Sequence, residues 1–209
     1  IGVMQGRLLP QIPGRIQAFP WDRWRDEFEL ASRHGFQSIE VIFEADRFHE
    51  NPVYTDAGIA EINALIDRTG VPVSAVCADY FMVCPFFRVP ADEQEESIRV
   101  LNRLIGCAAR VGAARVEIPC VDAAAIRTEQ DKRDLVRCVA ACLPEAARHS
   151  LEVVFETSLP PEPFRELLER FRHPLVRANY DTGNSAALGY DPACELTVLG
   201  GLVANIHIK

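Results

Sequence analysis

Apolar residues collect in seven short runs, at residues 1–4, 38–43, 71–77, 115–121, 151–155, 176–180 and 203–208, and each run reads as a strand. Between them the apolar period changes. Trp24, Phe28 and Ala31 fall at i, i+4 and i+7, with Gly35 as a C-terminal stop. Ile59, Ile62 and Ile66 repeat the pattern before Gly70, and Leu101, Leu104 and Ala108 do so before Gly112. From the first run to the last the mean spacing is about 34 residues, the size of one β/α unit. This alternation predicts an α/β protein with a parallel sheet, either doubly wound or closed as a (β/α)₈ barrel.

Two features separate those folds. Met4-Gln5-Gly6-Arg7-Leu8, after the first run, is not the G-x-G-x-x-G loop of a dinucleotide-binding sheet. Polar residues at successive strand ends fit a barrel, whose site is assembled from several strands at the C-terminal face. The expectation is a single barrel domain over residues 1–209 with seven of eight strands visible. Starting inside the first strand and stopping on the seventh, the chain reads as trimmed at both ends relative to a barrel of about 250 residues.

Strand parity then sorts the polar residues. Glu152, Val154 and Glu156 share one face of the fifth run, opposite Val153 and Phe155; Arg177, Asn179 and Asp181 share one face of the sixth. In the seventh, Asn205, His207 and Lys209 oppose Ile206 and Ile208. These polar faces are expected to point into the barrel. A buried carboxylate is costly unless paired, neutralised or bound to a metal. Glu156, Asp181 and His207, ending three adjacent strands, therefore suit a divalent cation such as Mg²⁺, Mn²⁺, Co²⁺ or Zn²⁺, and the lack of thiolates among them speaks against a closed zinc site.

The composition, 48 % hydrophobic and 25 % charged, is that of an ordinary globular chain. No apolar run approaches the roughly 20 residues of a membrane span, and the first residues lack the pattern of a signal peptide, so a cytoplasmic location is expected. A net charge of −8 argues against nucleic acid and for a small-molecule substrate. The seven cysteines form no C-x-x-C pair, which suggests neither a disulfide framework nor a cysteine zinc site. Cys138 and Cys142 share a helix face, and the other cysteines read as small core residues too.

Several quoted segments carry a family resemblance: Gly2-Val3-Met4-Gln5-Gly6-Arg7, Gly35-Phe36 with Ile39-Glu40, Glu156, Asp181-Thr182-Gly183-Asn184, and Ile206-His207-Ile208-Lys209. Together they resemble the sugar phosphate isomerase/epimerase group of the xylose isomerase-like TIM-barrel superfamily. The resemblance implies one divalent metal, commonly Mn²⁺ or Mg²⁺, held by Glu156, Asp181, His207 and a Glu of the eighth strand beyond Lys209. It implies Glu156 and that eighth-strand Glu as the acid/base pair, and a carbohydrate substrate. Glu162 has the spacing of a substrate-contacting Glu in ketose 3-epimerases, whereas Asn184 stands where those enzymes carry His.

Further strand-end residues are candidate substrate contacts: Gln5, Arg7, Glu44, Asp79, Asn184 and Lys209, with Tyr80 beside Asp79. Arg7 could grip a phosphate or carboxylate, or pair with Glu40 or Glu44. Glu117 is expected to bridge to a barrel Arg, and His34, His49, His149 and His173 to be exposed or helix-terminal. The aromatic pairs Tyr80-Phe81 and Phe86-Phe87 read as a shield over the site, as core or as an association surface, and homo-oligomerisation is open. The leading expectation is a metal-dependent sugar isomerase or epimerase working through an enediolate. An inosose-type dehydratase, an abasic-site nuclease and a non-catalytic sugar-binding barrel follow, the nuclease disfavoured by the acidic charge.

Overall fold

The computed structural model describes residues 1–15 and 17–209. Seven strands form one parallel sheet in strict sequence order: β1 (Gly2–Met4), β2 (Ser38–Ile42), β3 (Val73–Cys77), β4 (Arg115–Cys120), β5 (Glu152–Thr157), β6 (Val176–Asp181) and β7 (Val203–His207). Every crossover steps to the next strand in the same direction. Right-handed crossovers then place all the helices on one face, and the sheet curls away from them, as in a barrel wall.

The helices are α1 (Asp26–Arg33), α2 (Asp56–Thr69), α3 (Tyr80–Val83), α4 (Ala91–Arg110), α5 (Glu129–Ala140), α6 (Leu143–His149), α7 (Pro161–Arg170), α8 (Thr182–Leu188) and α9 (Pro192–Leu199). Their ends follow local chemistry. Thr55 caps α2 by accepting from Gly58 N, and Gly70 closes it at φ 71°. Thr128 and Asp131 form a capping box at the start of α5. Trp24, expected within the first helix, instead precedes it and packs at the edge of Phe28, with ring centroids 6.4 Å apart.

The core lies between the outer sheet face and the helices. Ile39, Val41, Val76, Val116, Ile118, Val153, Phe155 and Ala178 are buried against Phe28, Ile62, Leu101, Leu104, Leu135 and Leu167. The aromatic pairs after β3 resolve to core, since Tyr80, Phe81, Phe86 and Phe87 are all at most 3 % exposed. Strand bounds shift for physical reasons. Pro72 lacks an N–H and joins the sheet only through its carbonyl, which accepts from Ile39 N at 2.9 Å, so β3 begins one residue later. Among the cysteines the expectation fails at three places: Cys194 is exposed, Cys84 half-buried, and Cys77 faces the polar interior.

The inner face is polar, as parity predicts. Glu152 pairs with Arg115 at 3.2 Å and lies 3.9 Å from Arg177. Above this layer stand Glu40, Glu117 and Asn179, and the outer layer carries Glu156, Asp181 and His207. Register shifts occur between Ile39 and Glu40 and between Ala178 and Asn179, re-aiming two of these polar side chains.

Candidate active site and metal centre

The His207 imidazole, at the end of β7, is the hub of the strand-end cluster. Its Nε2 lies 3.0 Å from Glu40 Oε2 and 3.4 Å from Glu117 Oε2; its Nδ1 lies 3.7 Å from Glu156 Oε2 and 3.8 Å from Asp181 Oδ2. Asn205, two residues earlier on the same face, reaches Nε2 at 3.2 Å. Asn179 Nδ2 reaches Glu117 Oε1 at 3.0 Å, and Glu156 Oε2 and His207 Nδ1 at 3.1 Å each. An amide has two hydrogens, so these three contacts compete for them.

Asp181 is divided between two tasks. Its Oδ1 accepts from Asn184 N at 2.8 Å, capping α8, while Oδ2 sits 2.7 Å from Lys209 Nζ without an aligned hydrogen bond. Asn184 Nδ2 in turn donates to Glu156 Oε1. Glu156, Asp181 and His207 are thus brought together as the sequence predicts, with Asn184 and Lys209 beside them.

The electrostatics follow from that crowding. Burial disfavours a charged His207, yet the Glu156 and Glu40 carboxylates outweigh it and raise the imidazole to about 10. Burial also works against an ionised Glu156, but the neighbouring His207 and Glu117 and the charge of Lys209 hold it below the usual carboxylate range. Glu117 is pushed well above that range by burial and by the neighbouring Glu40 and Glu156. Among the described residues Glu117 meets His207 and Asn179 and no arginine. It is 1 % exposed and belongs to the cluster.

Other candidates are committed elsewhere. Glu44 pairs with Arg15 at 2.7 Å and accepts from Phe19 N at 3.3 Å; Asp79 accepts from Gln17 Nε2 at 2.8 Å. Both acids tie down the loop after β1, and burial raises both above their ordinary values, opposed chiefly by Arg15 for Glu44 and by Gln17 for Asp79. Gln5 is buried and accepts from Ile42 N at 3.1 Å. Arg7 reaches Gln17 Oε1 at 3.3 Å, while Glu40 and Glu44 take His207 and Arg15 as partners. A cavity of about 180 Å³ lies under this loop, with Gln5, Arg7, Arg15 and Gln17 in its lining. Glu162 stands exposed in the first turn of α7, away from the cluster hydrogen bonds. His34, His49 and His149 are exposed and His173 is half-buried.

The residues missed from sequence are Glu40, Cys77, Asn179 and Asn205. For Glu40 a signal existed, since a lone acid between Ile39 and Val41 in an apolar strand must face the barrel interior.

The fit to a cation can be tested on the donors themselves. Four carboxylates, Glu40, Glu117, Glu156 and Asp181, surround one imidazole and one ammonium. Glu40 Oε1, Glu117 Oε2 and Asp181 Oδ2 are buried without a hydrogen-bond partner. Ligand atoms of Glu117, Glu156 and His207 lie within 4.8 Å of one another. Surplus negative charge with unsatisfied oxygens on hard and borderline ligands is what a divalent cation satisfies.

A curling parallel α/β sheet in strict strand order, with an acidic, imidazole-centred cluster at its strand ends, is the wall of a TIM barrel. The chain belongs to the xylose isomerase-like TIM barrel family, whose pattern matches residues 28–209. No protein of curated function matches it by sequence. Among solved structures it is similar to 3-keto-D-glucoside 4-epimerase from E. coli, at 16% identity and TM-score 0.76 over 99% of this chain and 77% of that one. It is likewise similar to D-psicose 3-epimerase from Clostridium cellulolyticum H10, crystallised with D-tagatose, at 14% identity and TM-score 0.77 over 99% and 72%. The IolI protein with a bound zinc atom aligns at 15% identity and TM-score 0.70 over 88% and 66%. Among the described residues no helix is long and apolar enough to cross a membrane.

Proposed function

We propose that this protein is a metal-dependent isomerase or epimerase of a sugar or sugar phosphate, moving a proton at a carbon beside a carbonyl. The observation that carries the reading is the His207 hub with its surplus of buried, partly unsatisfied carboxylates at the strand ends. Glu156, Asp181 and His207 would hold the cation, with Mn²⁺ or Mg²⁺ first and Co²⁺ or Zn²⁺ next, the last favoured by the zinc of the IolI structure. Bound there, the cation supplies Lewis-acid polarisation of the substrate carbonyl.

The chain's own residues do the rest. Glu156 is the base, kept ionised at the working pH and fixed through Oε1 by Asn184 and through Oε2 by Asn179. Glu40 fixes the imidazole from its Nε2 side. Lys209, partly exposed at the rim, places a positive charge where an enediolate oxygen develops. With Glu44 and Asp79 engaged by the loop after β1 and Gln5 bonded to Ile42 N, substrate contact falls to Arg7, Asn184 and Lys209, and Glu162 contributes only if its helix end turns toward the substrate.

The test is solvent deuterium exchange into a panel of ketoses and their phosphates. Exchange into at least one, lost by a factor of about 10³ in Glu156→Gln, is expected for removal of a general base. Bound metal with no exchange into any member sinks the reading, and an unsaturated product without exchange would assign dehydration instead.

A further inference from the structure

One layer inward from Glu156, the sheet carries a second group of ligand atoms. Glu40 on β2, Cys77 on β3 and Glu117 on β4 are all buried, and one ligand atom from each lies within 4.8 Å of the others. Cys77 and Glu117 are direct partners across the β3/β4 ladder. Two carboxylate oxygens of this group, Glu40 Oε1 and Glu117 Oε2, have no hydrogen-bond partner, on side chains in residues 7 % and 1 % exposed. The thiol is held in place, since Cys77 Sγ lies 3.3 Å from Asp79 Oδ1.

Charge makes the group more demanding once the outer site is filled. This step rests on the function proposed above. With Nδ1 turned to Glu156 and Asp181, an imidazole serving as a metal ligand is neutral. It then no longer offers a positive charge to Glu40 Oε2 at 3.0 Å or Glu117 Oε2 at 3.4 Å. Lys209 contacts Asp181, on the other side of the cluster. Glu40 and Glu117 would be left side by side, buried and without a positive partner, a pair that must share a proton or take up a cation.

We propose that Glu40, Cys77 and Glu117 form a second divalent-cation site, deeper in the barrel than the first. Two carboxylates and one thiolate suit Zn²⁺ or Co²⁺ over Mg²⁺ or Mn²⁺, because sulfur is a poor ligand for the harder ions. Binding releases the Sγ proton, as ligation of any thiol does, along the contact already made to Asp79. The ion neutralises Glu40 and Glu117 together and so fixes the carboxylate that orients His207 from its Nε2 side. The cysteine expected from sequence to be core is, on this assignment, a ligand.

Metal loading separates the two sites. The whole protein, stripped of metal and reloaded with Co²⁺, is expected to bind two ions per chain and to show a sulfur-to-cobalt charge-transfer band in the near ultraviolet. Cys77→Ser should abolish the band and lower the count to one while leaving the other six of the seven cysteines in place. The double variant Glu156→Gln/His207→Ala should lose the outer ion and keep the band. A parent that binds one ion, with neither count nor band altered by Cys77→Ser, overturns the deep site and leaves the outer one standing; Glu40 and Glu117 would then share a proton in place of the ion. A single ion whose band disappears in Cys77→Ser supports the deep site and removes the outer one.

Discussion

Replacing Asn179 by Asp changes almost nothing in shape and everything in charge. In the metal-free protein Asn179 Nδ2 supplies donors to Glu117 and Glu156 at 3.0 and 3.1 Å. Loss of two buried hydrogen bonds, the one to Glu156 charge-assisted, at about 1–3 kcal/mol each, sets a scale of about 2–6 kcal/mol. The cluster has one escape, taking up a proton. For a carboxyl with an ordinary value near 4 this costs about 5 kcal/mol at pH 8 and about 1–2 kcal/mol at pH 5. Urea denaturation of metal-free Asn179→Asp is therefore expected to show a loss of about 2–5 kcal/mol at pH 8, shrinking toward pH 5. Saturating divalent metal should narrow the gap at pH 8, because the cation supplies the charge that the amide supplied as a donor. A variant within about 1 kcal/mol of the parent at pH 8, or a penalty growing as pH falls, would refute the picture of a cluster starved of positive partners.

Three further outcomes follow from the same structure. His207 has its folded value raised to about 10 from 6.5, so its stabilising effect in metal-free protein is complete below the unfolded value and lost as pH rises toward 10. At most about 5 kcal/mol is involved, and urea midpoints of chelator-treated protein that stay flat or rise from pH 6.5 to 10 would contradict it. Glu27, fully buried in α1, accepts from Gly6 N at 2.6 Å and Leu8 N at 3.3 Å; Glu27→Ala strands both donors of the loop after β1 and should cost about 2–5 kcal/mol in chemical denaturation, a loss below about 1 kcal/mol meaning that water replaces the carboxylate. Gly58→Ala would place Cβ 2.3 Å from Pro52 O and 2.4 Å from Pro52 Cα, and the overpacking of about 1–3 kcal/mol should exceed the helix-propensity gain of about 1 kcal/mol, so a raised melting temperature would show that the segment before α2 yields freely.

The fold was readable because a parallel strand buried on both faces must be almost wholly apolar, and every run so marked became a strand. The clustering of Glu156, Asp181 and His207 was readable for the converse reason: they violate that rule at the strand ends, and parity puts them on one face. Parity also put Asn179 and Asn205 inward, yet a neutral amide violates nothing and gave no reason to look further. Glu117 read as a partner for a barrel arginine, but the nearby Arg115 sits in the layer below and takes Glu152. Glu44 and Asp79 read in the sequence as candidate substrate contacts, and only folding shows that Arg15, Gln17 and Phe19 return to engage both acids. Cys77 carried no signal, because a buried cysteine has the same sequence signature in oil and beside a carboxylate.

Asp181 makes the cluster audible at a distance. One of its oxygens caps α8 through Asn184 N at 2.8 Å while the other faces Lys209 and His207. Electron density drawn toward Oδ2 by a cation or substrate must weaken Oδ1 as an acceptor, so the Asn184 backbone amide should shift in an NMR spectrum whenever the cluster changes its load. A single backbone resonance at the first turn of a surface helix would then follow occupancy, in any variant, without turnover and without knowledge of the substrate.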